Sequence, residues 1–210
     1  MLEKFLTRYR VTDRLPAEPA DAAAGPVPEA VGELFAALSG ASVEHGLYRV
    51  HTPRTAAAAN AVCGRLLRGF EQRMYCFGFD WLGRNLAVDL ATGEPADPHV
   101  VLVEPGAGEL MESGIGLHPF HDEVLVTDTS PLAADFFDQW RATQPGFERL
   151  AFDECVGYKV PLFLGGEDEV HNLERVPYDV YWDLCVQLRT GTRRMTPGTT
   201  IGRIVVDEEG

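Results

Sequence analysis

His118-Pro119-Phe120-His121-Asp122-Glu123 gathers two imidazoles three residues apart and two carboxylates, donors of the kind zinc accepts. The set falls short of a metal centre. Pro119 is expected to prevent a regular helix from fixing both rings, and neither an H-E-x-x-H motif nor a second ligand pair follows. Cys155 is a second candidate, as a nucleophile that needs a thiolate beside a base. Its neighbours Asp153 and Glu154 favour the neutral thiol, and His171 stands sixteen residues on, so a buried structural cysteine is the preferred reading. No G-x-S-x-G elbow is present, and Ser39, Ser42, Ser113 and Ser130 have no nucleophile signature around them. Gly106 and Gly108 would need a helix N-terminus and a lysine to cradle a phosphate; Glu104, Glu109 and Glu112 stand there instead and would repel it. Gly165 and Gly166, followed by Glu167, Asp168 and Glu169, lack the alternating ligands of an EF-hand and read as a solvated acidic loop. These residues assemble no catalytic, metal or cofactor site.

The elements around them read from periodicity and punctuation. Leu2, Phe5, Leu6 and Tyr9 share one side of a short helix over 1–10, and 16–28 is an Ala, Pro and Gly-rich connection. Val31, Leu34, Phe35 and Leu38 predict a helix from Pro28 to Gly40. A short strand over 46–51 precedes Thr52-Pro53, an N-cap followed by proline, which opens a helix to about Arg68 with Val62, Cys63, Leu66 and Leu67 inward. The period then changes. Strands are expected over 73–79, 84–90 and 99–103, with Leu86, Val88 and Leu90 alternating against Asn85, Ala87 and Asp89. Asp80-Trp81-Leu82-Gly83 is a turn in which Trp81 caps the sheet's core, 91–98 a loop, 105–116 a Gly-rich region and 123–126 a further strand. A helix carrying Leu132, Phe136, Phe137 and Trp140 follows Ser130-Pro131. Another follows Pro177, with Tyr178, Tyr181, Trp182, Cys185 and Leu188 on one side and a stop at Gly191; a strand over 201–206 closes the chain. The fold class is therefore α+β, a mostly antiparallel meander with helices packed on one face and a C-terminal helical segment.

The 210 residues are 45% apolar and 24% charged, an ordinary globular composition. No apolar run approaches the ~20 residues that cross a bilayer, and Glu3, Lys4 and Arg8 interrupt what would be a signal-peptide core, so a cytoplasmic location is expected. Cys63, Cys76, Cys155 and Cys185 form no C-x-x-C pair and read as free thiols near the core. The net charge is −14, and its centre of gravity lies in 76–150, where thirteen carboxylates face three arginines. Such a surface repels nucleic acid and anionic lipid and attracts a basic partner at long range.

The string FDECVGYKVPLFLGGEDEVHNLE, from Phe152 to Glu174, resembles the C-terminal domain family of type VI secretion immunity proteins, whose best-known type protects its owner from a DNase toxin. The helix around Tyr181-Trp182 continues the likeness. Upstream, CFGFDWLGRNLAVDL (76–90) and VVLVEPGAGEL (100–110) look like the GAD-like region that accompanies this domain, although the commoner pattern has Ala-Phe-Gly-Asp where Asp80-Trp81-Leu82-Gly83 stands here. The N-terminal 70 residues are more distantly similar to SUKH immunity proteins. The resemblance divides the chain into a GAD-like α+β region, 1–127, and an immunity-protein region, 128–210, sharing one core. It implies no catalytic residue and no cofactor.

The function expected on this basis is neutralisation of a cognate toxin, a basic nuclease, by stoichiometric protein–protein binding. Glu109, Glu112, Asp122, Glu123, Glu167, Asp168 and Glu169 are the residues expected to occupy the toxin's basic cleft. Two other classes stay open: a metal-dependent or cysteine hydrolase centred on His118, His121 and Cys155, and a regulatory or scaffold domain that binds another protein.

Overall fold

Alternation of side chains along the strands sorts the core into two layers. In the computed structural model, which describes residues 2–17 and 25–193, seven strands form one antiparallel meander in the order β1 to β7. They are β1 (Val11–Arg14), β2 (Ala41–Val43), β3 (Tyr48–Val50), β4 (Met74–Asp80), β5 (Asn85–Glu94), β6 (Asp97–Glu104) and β7 (Glu109–Gly116). A separate hairpin joins β8 (Glu154–Tyr158) to β9 (Leu173–Pro177). The helices are α1 (Glu3–Arg8), α2 (Glu29–Leu38), α3 (Pro53–Leu66), α4 (Leu117–Pro119), α5 (Leu125–Thr127), α6 (Ala134–Ala142) and α7 (Tyr178–Thr192).

One face of the meander presents Tyr48, Val50, Tyr75, Phe77, Leu86, Val88 and Val100 to α1, α2, α6 and the α4–α5 segment. The other presents Cys76, Ala87, Val101 and Val103 to Ala59, Cys63 and Leu66 of α3 and to Trp182 and Val186 of α7. Both faces of the central strands are thus covered. This is why Asn85 and Asp89, expected to point outward, are buried. Leu90, expected inward, is 50% exposed because the β5–β6 register shifts between Asp89 and Gly93.

Local signals account for most boundaries. Thr52 caps α3 in a reciprocal capping box with Thr55, and Pro53 occupies the first turn. The carboxylate of Asp122 accepts from the N–H groups of Leu2 (2.8 Å) and Phe5 (3.1 Å), so a residue 120 positions away caps α1.

Four expectations are corrected. Residues 91–98 are not a loop: β5 and β6 pair as far as Glu94 and Asp97. The Gly-rich 105–116 contains the edge strand β7. Residues 123–126 are helical, since Phe120–Val124 is a π-helix linking α4 to α5, and Pro119 sits at its entrance, where a missing N–H does no harm. Gly191 does not stop the last helix, which continues to Thr192. The strand expected over 201–206 lies outside the described residues.

Candidate functional site

The turn between β4 and β5 is the point where the C-terminal third grips the sheet. Asp80 organises it: one carboxylate oxygen accepts from the backbone N–H groups of Leu82 and Arg84 (3.0 Å each), and the other from Arg84 Nε (2.6 Å). Gly83 has φ +76°, and a Cβ there would stand 3.0 Å from Cys155 Sγ, so both backbone and space require glycine. Trp81 is fully buried against Phe136, Phe137 and Trp140, as the reading of a core cap required.

Four of the polar groups that this turn leaves over are taken by residues beyond 130. Trp81 Nε1 donates to Leu132 O (3.1 Å), Arg84 Nη2 to Pro131 O (3.0 Å), Val156 N to Trp81 O (2.7 Å) and Trp182 Nε1 to Gly83 O (2.8 Å). On the adjoining strand, buried Arg49 donates to Ala151 O (2.9 Å), Glu154 O and Asp80 O (3.0 Å), while its guanidinium carbon lies 4.4 Å from the Phe79 ring centroid. Burial lowers the Arg49 pKa to about 10. Behind the turn, Glu104 is buried 3.8 Å from Arg84 Nε, and burial raises its pKa to about 7 against the pull of that arginine.

Beside the turn a cleft of about 890 Å³ opens between α3 and the start of α7. Phe79, Phe152, Tyr178 and His51 line it, with Ala58, Ala61 and Val180 on its walls. Phe79 meets Phe152 edge to face and Tyr178 at a tilt, at 5.4 and 4.7 Å between centroids. At the polar end, Asn85 Oδ1 accepts from Tyr178 OH (2.8 Å) and lies 3.2 Å from His51 Nε2, while His51 Nδ1 lies 3.1 Å from Thr55 Oγ1. A neutral imidazole protonated at Nε2 satisfies both contacts. Burial, with Arg49 adding repulsion, lowers the His51 pKa to about 4 despite the bond to Asn85.

The candidates singled out by sequence are scattered. His121 is buried among Phe5, Tyr48, Phe77 and Phe120. Both its nitrogens are engaged: Nδ1 with Leu117 O (2.9 Å) and Nε2 with Tyr48 OH (3.1 Å). Burial lowers its pKa to about 4. His118 faces Glu33 at 3.8 Å instead. Cys155 is on the opposite side of the sheet, packed with Tyr181 and Cys185, and burial raises its thiol pKa. The three residues of the hydrolase alternative therefore do not meet. Among the described residues, no cluster of His, Cys, Asp and Glu could hold a metal.

Of the acidic residues, Glu109 and Glu112 are exposed on β7, where charge on a sheet edge also discourages pairing with another chain. Glu167, Asp168 and Glu169 are exposed in the β8–β9 connection, with Glu167 3.0 Å from His171 Nε2 and Asp168 accepting from Tyr158 OH (2.6 Å). Phe163 N donates to Gly106 O (3.1 Å), which ties this connection to the β6–β7 hairpin. Glu123 is exposed away from this group, and Asp122 is engaged in capping α1.

Residues 132–189, which supply α6, the β8–β9 hairpin and nearly all of α7, match the family model described as T6SS immunity protein Tdi1, C-terminal. The segment is Tdi1-like. It coincides with the part of the chain that takes up the turn's unpaired groups on both faces of the sheet. The fold likeness reaches further: the crystal structure of Atu4351 from Agrobacterium tumefaciens superposes with a TM-score of 0.62 over 89% of each chain, at 16% identity. A comparison with curated proteins finds no match in sequence.

The cleft was not anticipated from sequence. Two of its signals were present: Phe152 and Asp153 open the Tdi1-like string, and Tyr178 and Trp182 lie four apart on α7. What periodicity could not convey is that Tyr178 fills only part of the gap between α7 and α3, leaving a cleft beside the half-buried Phe152.

Proposed function

We propose that this protein is an immunity protein, which neutralises a cognate type VI secretion toxin by direct one-to-one binding. The observation that carries the proposal is the Tdi1-like segment, 132–189. The toxin is a basic nuclease. Its nucleic-acid cleft is met by acidic residues of this chain: Glu109 and Glu112 on the sheet edge, and Glu167, Asp168 and Glu169 beside the hairpin to which their loop is bonded. Asp122 and Glu123 contribute at most to the long-range field, because Asp122 is held by α1 and Glu123 is apart from the others. Charge complementarity of this kind accelerates encounter and excludes wrong partners more than it adds affinity.

The chain acts without catalysis and without a cofactor, in the cytoplasm of the producing cell. Among the described residues, no helix is long and apolar enough to cross a membrane. The test is capture of the adjacent gene's product, in catalytically inactive form, by the purified protein. A one-to-one complex is expected. The paired reversal Glu167→Lys/Glu169→Lys should slow association, with a difference that shrinks as salt rises. Absence of a complex would overturn the reading.

A further inference from the structure

The cleft between α3 and α7 has no role in the acidic contact just described, yet it has the attributes of a recognition pocket. It is concave, about 890 Å³, mostly apolar, and floored by the edges and faces of three aromatic rings, with Val180 53% exposed at its mouth. A volume of this size exceeds one side chain and admits a short stretch of polypeptide. Its rim carries Asp153, Asp179 and Asp183 against a single arginine, Arg65, which pairs with Asp183.

We infer that this cleft receives a projecting segment of the toxin in which a large apolar side chain is flanked by lysine or arginine. The two parts of that description have separate grounds. A cation is disfavoured inside the cleft because Arg49 lies directly beneath its floor, on the Phe79 ring. The interior therefore suits an apolar anchor, which would desolvate Phe152 and Tyr178 in the manner of an interface hot spot. The excess of carboxylate at the rim suits basic flanks. The inference rests on the immunity reading and adds a second contact to it. The two contacts lie toward opposite ends of α7, since Tyr178 lines the cleft while Arg189 packs against the β6–β7 hairpin at Gly108. Eleven helical residues span about 16 Å, so an interface of ordinary size covers both.

The experiment titrates the inactive adjacent-gene product against the wild-type chain and three variants. Ala58→Trp and Ala61→Trp fill the cleft from the exposed side of α3. Val180→Lys replaces an exposed side chain at its mouth, and so tests the cleft without burdening the fold; thermal melts confirm that each variant is folded. Binding weakened at least ~30-fold in the folded variants is the expected result, with little salt dependence of the loss in the two tryptophan variants. Wild-type affinity in Val180→Lys and in either tryptophan variant would overturn the cleft assignment while leaving the immunity reading intact. Failure of the wild-type chain itself to bind would overturn both.

Discussion

Glu104→Gln should stabilise the protein at alkaline pH and have little effect in acid, the reverse of what removal of an ordinary salt-bridging carboxylate does. Glu104 is buried, accepts one hydrogen bond from Gly106 N (2.9 Å), and lies 3.8 Å from an arginine whose Nε is already 2.6 Å from Asp80. Desolvation therefore dominates, and the pKa rises from 4.5 to about 7. The folded state binds this proton more tightly than the unfolded chain, so the favourable contribution is complete below pH 4.5 and is lost as pH rises through about 7. The gap is worth about 3 kcal/mol, most of which falls between pH 5 and pH 8. Glutamine keeps an acceptor for Gly106 and cannot ionise. Denaturant unfolding of both proteins at pH 5 and pH 8 gives the difference of differences, in which the other titrating groups cancel. The variant should gain about 2–3 kcal/mol on the wild type over that interval. Parallel stability profiles would refute the reasoning, and would mean that Arg84 or water solvates the ionised carboxylate as well as bulk solvent does.

Two further outcomes concern the same core. His51 and His121 both have pKa values lowered to about 4, so each contributes stability that is present above pH 6.5 and lost as pH falls through 4. Their imidazole resonances in NMR should stay those of neutral rings at pH 5.5; a midpoint near 6.5 for either would contradict the burial described. Gly83→Ala must adopt φ +76° and bring a methyl group within 3.0 Å of Cys155 Sγ. A loss of about 2–3 kcal/mol in unfolding free energy is expected, where an unstrained surface glycine would lose almost nothing.

The sequence was most readable where a local signal and a tertiary requirement coincide. Thr52-Pro53 states a helix start in its own chemistry, and the Phe136-Phe137-Trp140 face could be satisfied only by burial, which Trp81 supplies. It was least readable where a distant residue decides. Residues 123–126 have strand-forming side chains, but the π-turn that holds them places His121 between Phe5 and Tyr48 and Asp122 beneath α1, and those contacts come from the other end of the chain. The edge strand β7 was concealed for a related reason. Exposed Glu109, Met111, Glu112 and Ser113 show no apolar alternation, because β7 has a partner on one side only. Likewise the Tdi1-like string could be recognised as residues, but the gap it leaves beside α3 depends on how α7 is aimed.

The turn at Asp80–Arg84 has a consequence for anyone who would transplant partner specificity between proteins of this kind. The segment from 131 onward encloses that turn from both sides: its Pro131 and Leu132 carbonyls accept from Arg84 and Trp81, and its Trp182 indole donates to Gly83. A graft cut at the start of the segment would therefore separate a lock from its key. The smallest exchangeable cassette is discontinuous: the five residues of the turn must travel with the C-terminal piece, and a host that keeps its own turn will receive the foreign segment with mismatched donors and an unfilled tryptophan socket.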